Sequence, residues 1–500
     1  MPPPSQWEAW TACRTSSLAN AHASAHALSS PSWTPAVGDV CLVDAPVPGT
    51  ILGALLANGT FRYADGGAVV DPFLDDTLAT EGVAHVSVPD VSSLGVDFFS
   101  YTFRATVDSA NVPGCAAGGP FARSARVVLS LAQSSYRVAA YLGGGATPLS
   151  PVDARPGETD AVGMFRRFDF LVPAPDVAAF CAVMVHGFAF DVRPPDHPGN
   201  ASHTCKGCGQ GGNHAIAQDL VSQDTCGWDW VGGTADRNTG LIDPVEVFVA
   251  EAGVLLRGAA VSCSRVDVSA SDPSRADRVD FVFRVSLFNL DTASASVGGS
   301  LLFEIVELGV SVEVTDVSLP ASAPPDNAWA DFTSPVVTVR NASLWYPNGA
   351  GVGSPFLYAA TARFSQPDPV VGRASASISW RAGLRTVTSA VDVAIGGQVF
   401  SVNGRRLYLT GGNWIATDQL SRSEFRGPER YGAEVALHAA MGMNVMRLWG
   451  GHGGHARHLW DAADEQGMFL FHEWWMSGDN NGRWAQVHIT NQPHSPPADL

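Results

Sequence analysis

Three short apolar runs late in this 500-residue chain constrain its fold more than any other feature. They occupy residues 407–410, 444–448 and 468–471, and amphipathic helical patterns fill the two gaps between them. Apolar strands that alternate with amphipathic helices are typical of βαβ units, whose parallel strands are buried in a sheet. We therefore predict a β-α-β-α-β arrangement over residues 404–485, with all three strands parallel.

Polar and aromatic residues follow each of these runs. Ligands of parallel α/β sheets bind just beyond the carboxyl ends of the strands, because the loops that carry chemistry meet there. The residues at those ends are the candidate site residues: Asn413, Trp414, Arg447, Trp449 and Glu473.

The chain before residue 389 has a different pattern, with short alternating strands separated by Gly, Pro and Asp turns. The clearest alternation places Phe281, Phe283, Val285 and Leu287 on one face of a strand. This pattern predicts β-sandwiches. The predicted divisions are an N-terminal segment (1–35), a first sandwich (36–245), a second sandwich (246–388) and the α/β region (389–500).

Motifs along nearly the whole chain resemble glycoside hydrolase family 2 and follow the family's order. Upstream of the α/β region they are APVPGTIL (45–52), GMFRRF (163–168), PPDHPG (194–199), GWDW (227–230), DRNTG (236–240) and LWYPNG (344–349). The resemblance implies a jelly-roll sugar-binding domain, an immunoglobulin-like sandwich and the N-terminal part of a (β/α)8 TIM barrel. A complete barrel needs ~250 residues, so about a third of it would be present.

The resemblance implies a retaining hydrolase of β-mannosidic or related β-glycosidic bonds in glycans, most like the endo-β-mannosidase branch. Exo-β-mannosidases and exo-β-glucosaminidases are neighbouring branches. Retaining glycosidases use two carboxylates, one as acid/base and one as nucleophile. The family's acid/base lies in an Asn-Glu pair, and this dipeptide does not occur in the chain. We expect both catalytic carboxylates beyond Leu500, and hence no hydrolysis by the chain as given. The rival hypothesis is a truncated, non-catalytic carbohydrate-binding or interaction protein.

The resemblance also implies sugar-binding roles for the candidate residues. Arg447 would orient the nucleophile carboxylate, or else form a salt bridge at the barrel lip. Trp414 and Trp449 would stack on a pyranose ring or pack the lip. Asn413 would bind a hydroxyl group or cap a turn. Glu473 would contact or support the substrate rather than act as the catalytic acid.

A second group of candidates lies upstream, at Trp228, Asp229 and Trp230. In related β-mannosidases this segment reaches from the sandwich domain into the sugar site, where the carboxylate would bind sugar hydroxyl groups. The alternative is an aspartate in a tight turn between packed tryptophans. We expect Asp229 to lie near Trp449 and Arg447.

The net charge of −18 argues against a nucleic-acid partner but is compatible with a neutral glycan containing mannose or glucosamine. No apolar run approaches the ~20 residues of a membrane span. Cys205, Cys208 and Cys226 form the one cysteine cluster, which suits a loop disulfide or free thiols better than zinc. We expect no metal and no cofactor.

The compartment stays open at this stage. The N-terminus shows no signal-peptide pattern. Three sequons, which begin at Asn58, Asn200 and Asn341, would suit a secreted or vacuolar/lysosomal protein.

Overall fold

The structure, a computed structural model, is mostly β-sheet and divides into several domains. It describes residues 6–14, 27–35, 41–57, 101–115, 120–134, 137–152, 161–162, 166–173, 176–193, 239–290, 296–321, 329–416, 427–450 and 457–473.

The first group of strands forms antiparallel sheets of six, three and two strands. Their orders are β2-β1-β4-β9-β6-β7, β11-β5-β8 and β10-β3. The bounds are β1 Thr11–Arg14, β2 Cys41–Val43, β3 Gly49–Thr50, β4 Tyr101–Asp108, β5 Arg126–Leu131, β6 Arg137–Leu142, β7 Ala161–Val162, β8 Phe168–Leu171, β9 Val185–Arg193, β10 Gly240–Leu241 and β11 Val245–Ala250, with helices α1 Ile51–Ala57 and α2 Val177–Ala182.

One apolar core joins the two larger of these sheets. Phe103 and Phe190 from the six-stranded sheet belong to the same buried cluster as Leu129 and Phe170 from the three-stranded sheet. Two disulfides connect segments of this strand group, Cys13–Cys41 between β1 and β2 and Cys115–Cys181 between the loop that follows β4 and α2.

The second group of strands forms two further antiparallel sheets. In one, β13 pairs with β12 and also with β16, β17 and β18; the other has the order β15-β14-β19-β20. The bounds are β12 Val254–Val268, β13 Arg275–Asn289, β14 Val297–Ile305, β15 Val310–Leu319, β16 Ala330–Thr333, β17 Val337–Val339, β18 Ala342–Ser343, β19 Tyr358–Asp368 and β20 Gly372–Ala382.

The alternation predicted for β13 is confirmed. Phe281, Phe283, Val285 and Leu287 are all buried, and Phe283 stacks on Phe303 of the facing sheet at 5.0 Å between ring centroids. Because side chains of a strand alternate between faces, these four residues supply one side of the apolar core between these two sheets. The assignment of the two groups as jelly-roll and immunoglobulin-like domains stays a prediction.

The last described part begins with an antiparallel sheet, β21-β22-β23, and continues into a parallel sheet, β24-β25-β26. The bounds are β21 Val387–Asp392, β22 Gly397–Val402, β23 Arg405–Leu407, β24 Gly411–Trp414, β25 Val445–Leu448 and β26 Phe469–His472, with helices α3 Pro428–Ala440 and α4 Arg457–Gln466. The predicted β-α-β-α-β order with parallel strands is therefore confirmed within the described residues.

The position predicted for the first parallel strand, 407–410, is wrong. Leu407 instead ends β23, which turns back on β22 through Asn403 and Gly404, both at positive φ. The parallel strand starts at Gly411, where a Cβ atom would lie only 1.8 Å from the Val445 carbonyl oxygen. The close approach of β24 to β25 therefore requires glycine at this position.

A loop of the second strand group, residues 345–348, joins that group to the parallel sheet. The indole Nε1 of Trp345 donates to the Asp464 carbonyl at 2.9 Å. The Asn348 side-chain Nδ2 donates to the carbonyls of Ala439 and Met443, each at 2.8 Å. The Asn348 amide thus binds one carbonyl in the last turn of α3 and one just after the helix, where carbonyl groups lack i,i+4 partners. The Ala439 carbonyl also accepts from the Gly442 N–H at 2.9 Å.

The same loop also contacts the end of α4. The backbone N–H of Asn348 donates to the Gly467 carbonyl at 2.8 Å. Gly467 has a φ of 68°, and a Cβ there would meet the Asn348 nitrogen at 2.7 Å. This glycine therefore ends the helix and also makes room for the loop.

Candidate functional site

The parallel register brings three of the candidate residues together. Asn413 pairs with Arg447, and Arg447 pairs with Phe471 on the third strand. Glu473 lies two residues beyond Phe471, and residues two apart on a strand point to the same face. Asn413, Arg447 and Glu473 therefore meet at the carboxyl ends of β24, β25 and β26.

Arg447 is the centre of this cluster. Its Nη1 donates to Asn413 Oδ1 at 2.6 Å, its Nε donates to Glu473 Oε1 at 2.8 Å, and its Nη2 donates to the same oxygen. The other carboxylate oxygen, Oε2, accepts from the Gly450 N–H at 3.0 Å. Both oxygens of Glu473 are thus held by N–H donors, which suits a fixed anion.

The cluster remains partly open to solvent. The Arg447 and Glu473 side chains are 35% and 28% exposed, and Asn413 is exposed. A guanidinium group has five N–H donors, and the three contacts above are the ones that Arg447 makes with described residues, so two donors have no acceptor among those residues. A hydroxyl or carboxylate oxygen could bind there without displacing Glu473. The salt bridge is present, and it is compatible with substrate contact.

The geometry favours the packing alternative for Trp414. This residue is only 6% exposed, and its Nε1 donates to Glu434 Oε2 on α3 at 3.1 Å. Arg430 Nε donates to the other oxygen of that carboxylate at 2.5 Å. A ring enclosed in this way offers no open face for a sugar. The stacking role expected for Trp414 therefore does not fit the described structure.

Trp449 is half-buried beside Gly450 and follows β25 directly. Its backbone N–H donates to the Trp414 carbonyl at 3.3 Å, so β24 and β25 remain joined beyond their last paired residues. Its sugar-stacking role stays a prediction. Trp228, Asp229 and Trp230 lie outside the described residues, as do the three clustered cysteines, and the predictions for them stay untested.

Glu434 is a residue that the sequence analysis missed. It is buried on α3 and holds the Trp414 indole, which fixes the end of the strand that carries Asn413. The available signal was Arg430 one helical turn before it, because an i,i+4 pair of opposite charges lies on one helix face.

Burial favours the neutral form of the histidine next to Glu473. Burial lowers the pKa of His472, and the neighbouring Glu473 charge opposes this only in part. The His472 ring lies 5.5 Å from the Trp460 ring of α4, so this side chain belongs to the packing behind the site.

Within the described ranges there is no group of three or more His, Cys, Asp or Glu side chains placed to hold a metal ion. None of the helices in those ranges is long and apolar enough to cross a membrane. The expectation that the protein needs no metal stays a prediction.

The sequence and the fold were compared with those of known proteins. No family model matches the chain. The chain is 29% identical over 467 residues to a mannosylglycoprotein endo-β-mannosidase of Lilium longiflorum, which covers 90% of this chain and 41% of that protein. It is 30% identical over 258 residues to an exo-β-D-glucosaminidase of Streptomyces avermitilis, which covers 50% and 25%.

The chain is a homologue of these β-glycosidases. Among solved structures, the exo-chitosanase CsxA of Amycolatopsis orientalis has a TM-score of 0.59 at 19% identity, covering 93% of this chain and 43% of that one. The β-D-mannosidase of Dictyoglomus thermophilum has a TM-score of 0.58 at 16% identity, covering 97% and 49%. At these identities the likeness concerns the fold. The resemblance to glycoside hydrolase family 2 is confirmed.

The chain spans about two fifths or less of the length of the curated relatives named above. What those complete enzymes do is therefore a separate question from what these 500 residues do.

Proposed function

We propose that Asn413, Arg447 and Glu473 form one wall of the sugar site in a retaining β-glycosidase of the β-mannosidase type. The observation that carries this proposal is the Arg447 guanidinium group, which binds Asn413 and Glu473 and has two further N–H donors with no acceptor among the described residues. Its place at the carboxyl ends of parallel strands supports the proposal, since barrel enzymes bind substrates there.

The proposed substrate is a β-linked mannoside within a glycan, cleaved in the endo mode. The long match to the Lilium endo-β-mannosidase supports this choice, because it extends over 90% of the chain. Trp449 is proposed to stack on a sugar ring, and Trp228, Asp229 and Trp230 are proposed to approach the same site from the first strand group. The first strand group is proposed to be the jelly roll and the second the immunoglobulin-like domain.

Neither carboxylate among the proposed site residues, Asp229 or Glu473, is proposed as the acid/base or the nucleophile. Glu473 is the one that stands nearest to Arg447, and both of its oxygens already accept N–H groups of the protein. A general acid must present a proton to the leaving-group oxygen. Glu473 is therefore assigned to orientation of Arg447, and the 500-residue chain is proposed to bind sugar without hydrolysing it.

The test combines ligand-observed NMR binding with a hydrolysis assay. We expect the purified chain to bind an aryl β-mannoside, to lose that binding in Arg447→Ala, and to release no aryl alcohol. The matched control is Arg406→Ala, because Arg406 is also an ion-paired arginine but lies on the β22-β23 hairpin and is 72% exposed.

Two results would count against the proposal. Binding that survives in Arg447→Ala and Asn413→Ala would place the sugar site elsewhere and would favour a carbohydrate-binding role of the first strand group. Turnover by the chain, abolished in Glu473→Gln, would make Glu473 catalytic rather than supporting.

A further inference from the structure

A sequon of the second strand group begins in the turn between β17 and β18 and continues through β18. Asn341, Ala342 and Ser343 form it, and the residue between asparagine and serine is not proline. Both flanking strands pair with β13. Asn341 is exposed, whereas Ala342 is completely buried. The segment is thus anchored by its middle residue while the asparagine stands at the surface.

The Asn341 side chain is fixed through its oxygen. Oδ1 accepts from Arg275 Nε at 2.6 Å, and Arg275 Nη2 donates to the Asn341 backbone carbonyl. The amide nitrogen Nδ2 donates no hydrogen bond to any residue that the structure describes. The atom that carries an N-linked glycan is therefore left available, while the rest of the side chain is held in place.

The serine of the sequon belongs to the same arrangement. Arg275 Nη1 donates to Ser343 Oγ at 3.3 Å, and the Ser343 N–H donates to the Tyr358 hydroxyl at 2.7 Å. One arginine thus contacts the asparagine oxygen and the serine hydroxyl together, which keeps the two ends of the sequon in a defined relation.

The disulfides give an independent indication of the compartment. Cys13–Cys41 and Cys115–Cys181 lie in the first strand group, far along the chain from the sequon. Disulfides persist in the secretory pathway and are rare in reducing compartments. Asparagine-linked glycans are added to proteins that enter that pathway.

We propose that Asn341 is an N-glycosylation acceptor. In this step Nδ2 loses a proton and forms a C–N bond to the anomeric carbon of a lipid-linked oligosaccharide diphosphate. The bond from that carbon to the diphosphate oxygen breaks, and the lipid diphosphate leaves. The modification concerns the second strand group and is independent of the sugar site proposed above.

A purely structural reason for Asn341 also exists. Its φ is 53°, a left-handed conformation that asparagine adopts more readily than most residues. Its oxygen also binds Arg275. This structural explanation requires no hydroxyl at position 343 and predicts no glycan. The two explanations therefore differ in the glycan occupancy that they predict at Asn341.

The experiment is expression of the whole chain through the secretory pathway of a eukaryotic host. Peptide-N-glycosidase then removes the glycans in heavy-oxygen water. The enzyme converts each glycosylated Asn into an Asp that carries the oxygen label. Peptide mass spectrometry then reports occupancy at Asn341. We expect occupancy of most molecules in the wild type and in Ser343→Thr, and its loss in Ser343→Ala.

The sequons at Asn58 and Asn200 lie in the same molecules and show whether the chain met the glycosylation machinery. Unlabelled Asn341 in molecules that carry label at either of those positions would overturn the proposal. Unlabelled Asn341 in molecules whose four bonded cysteines resist alkylation would overturn it as well, since such molecules have passed through an oxidising compartment.

Discussion

The Asn348→Ala substitution tests how the second strand group supports the parallel sheet. It removes both side-chain hydrogen bonds to the end of α3, at Ala439 and Met443, and leaves the backbone bond to Gly467 in place. The change therefore affects the end of one helix and spares the end of the other.

The magnitude follows from two carbonyl groups: that of Met443 loses the Asn348 donor, and that of Ala439 loses it but keeps the Gly442 N–H at 2.9 Å. A buried acceptor without a partner costs about 1–3 kcal/mol, and a typical hydrogen bond contributes about 1 kcal/mol net. These two contacts are partly buried, so water reaches the carbonyls in part. We expect a loss of about 2 kcal/mol, which raises the local opening constant by about 30-fold.

The assay is native-state hydrogen exchange of peptides that cover α3, β25 and α4, with β13 of the second strand group as the internal reference. The control is Glu465→Gln, which removes a side-chain contact of Arg381 at the same domain joint. Those two side chains are 44% and 46% exposed, and such a surface ion pair contributes about 0–1 kcal/mol. Its effect should stay below about fivefold.

Equal exchange in Asn348→Ala and Glu465→Gln would refute the reasoning, because it would show that solvent satisfies the α3 carbonyls as well as Asn348 does. Faster exchange of α4 but not α3 would refute the assignment of the contacts.

Three further predictions concern other parts of the chain. Burial lowers the pKa of His186 below its usual value, so its contribution to stability is present above about pH 6.5 and is lost as the pH falls towards the folded-state pKa. The melting temperature of the wild type should therefore fall more on acidification than that of His186→Phe. Cys181→Ser should lower stability by ~4 kcal/mol in denaturant unfolding, slightly more than Cys41→Ser, since their disulfides span 66 and 28 residues. Glu434→Ala leaves the buried Trp414 indole without its acceptor and should destabilise α3 by about 3 kcal/mol in hydrogen exchange, whereas Glu434→Gln keeps an acceptor and should cost less.

Each of these has a contradicting outcome. A pH dependence unchanged in His186→Phe would assign the acid sensitivity to another group. A larger loss from Cys41→Ser than from Cys181→Ser would contradict the loop-length argument. Equal protection in Glu434→Ala and Glu434→Gln would show that the indole does not need this acceptor.

The periodicity of the sequence predicts much of this fold because burial imposes it. Phe281, Phe283 and Val285 recur at every second position since one face of β13 lies in a core, and β25 is apolar since Met446 and Leu448 are buried in the core of the parallel sheet. The start of β24 was missed because the run 407–410 is apolar enough for a strand, while the deciding feature is the approach of Gly411 to Val445. This close contact depends on the position of the partner strand, so the sequence around Gly411 contains no pattern that predicts it.

The site divides in the same way. The position of Asn413, Arg447 and Glu473 at neighbouring strand ends follows from the sequence, because parallel strands align their carboxyl ends. The burial of Trp414 does not follow, since it depends on Glu434 approaching from a helix twenty residues away in the sequence. The local sequence around a tryptophan at a strand end is the same whether its ring faces a ligand or packs against a carboxylate of a neighbouring helix.

The contacts of Asn348 also constrain how this protein can change in length. The amide binds Ala439 and Met443 while the backbone of the same residue binds Gly467. One residue inserted in the last turn of α3 would rotate the following carbonyls by about 100° about the helix axis. Ala439 and Met443 could then no longer face one amide group, so an insertion tolerated in an isolated helix would here require a compensating change in a loop nearly a hundred residues earlier.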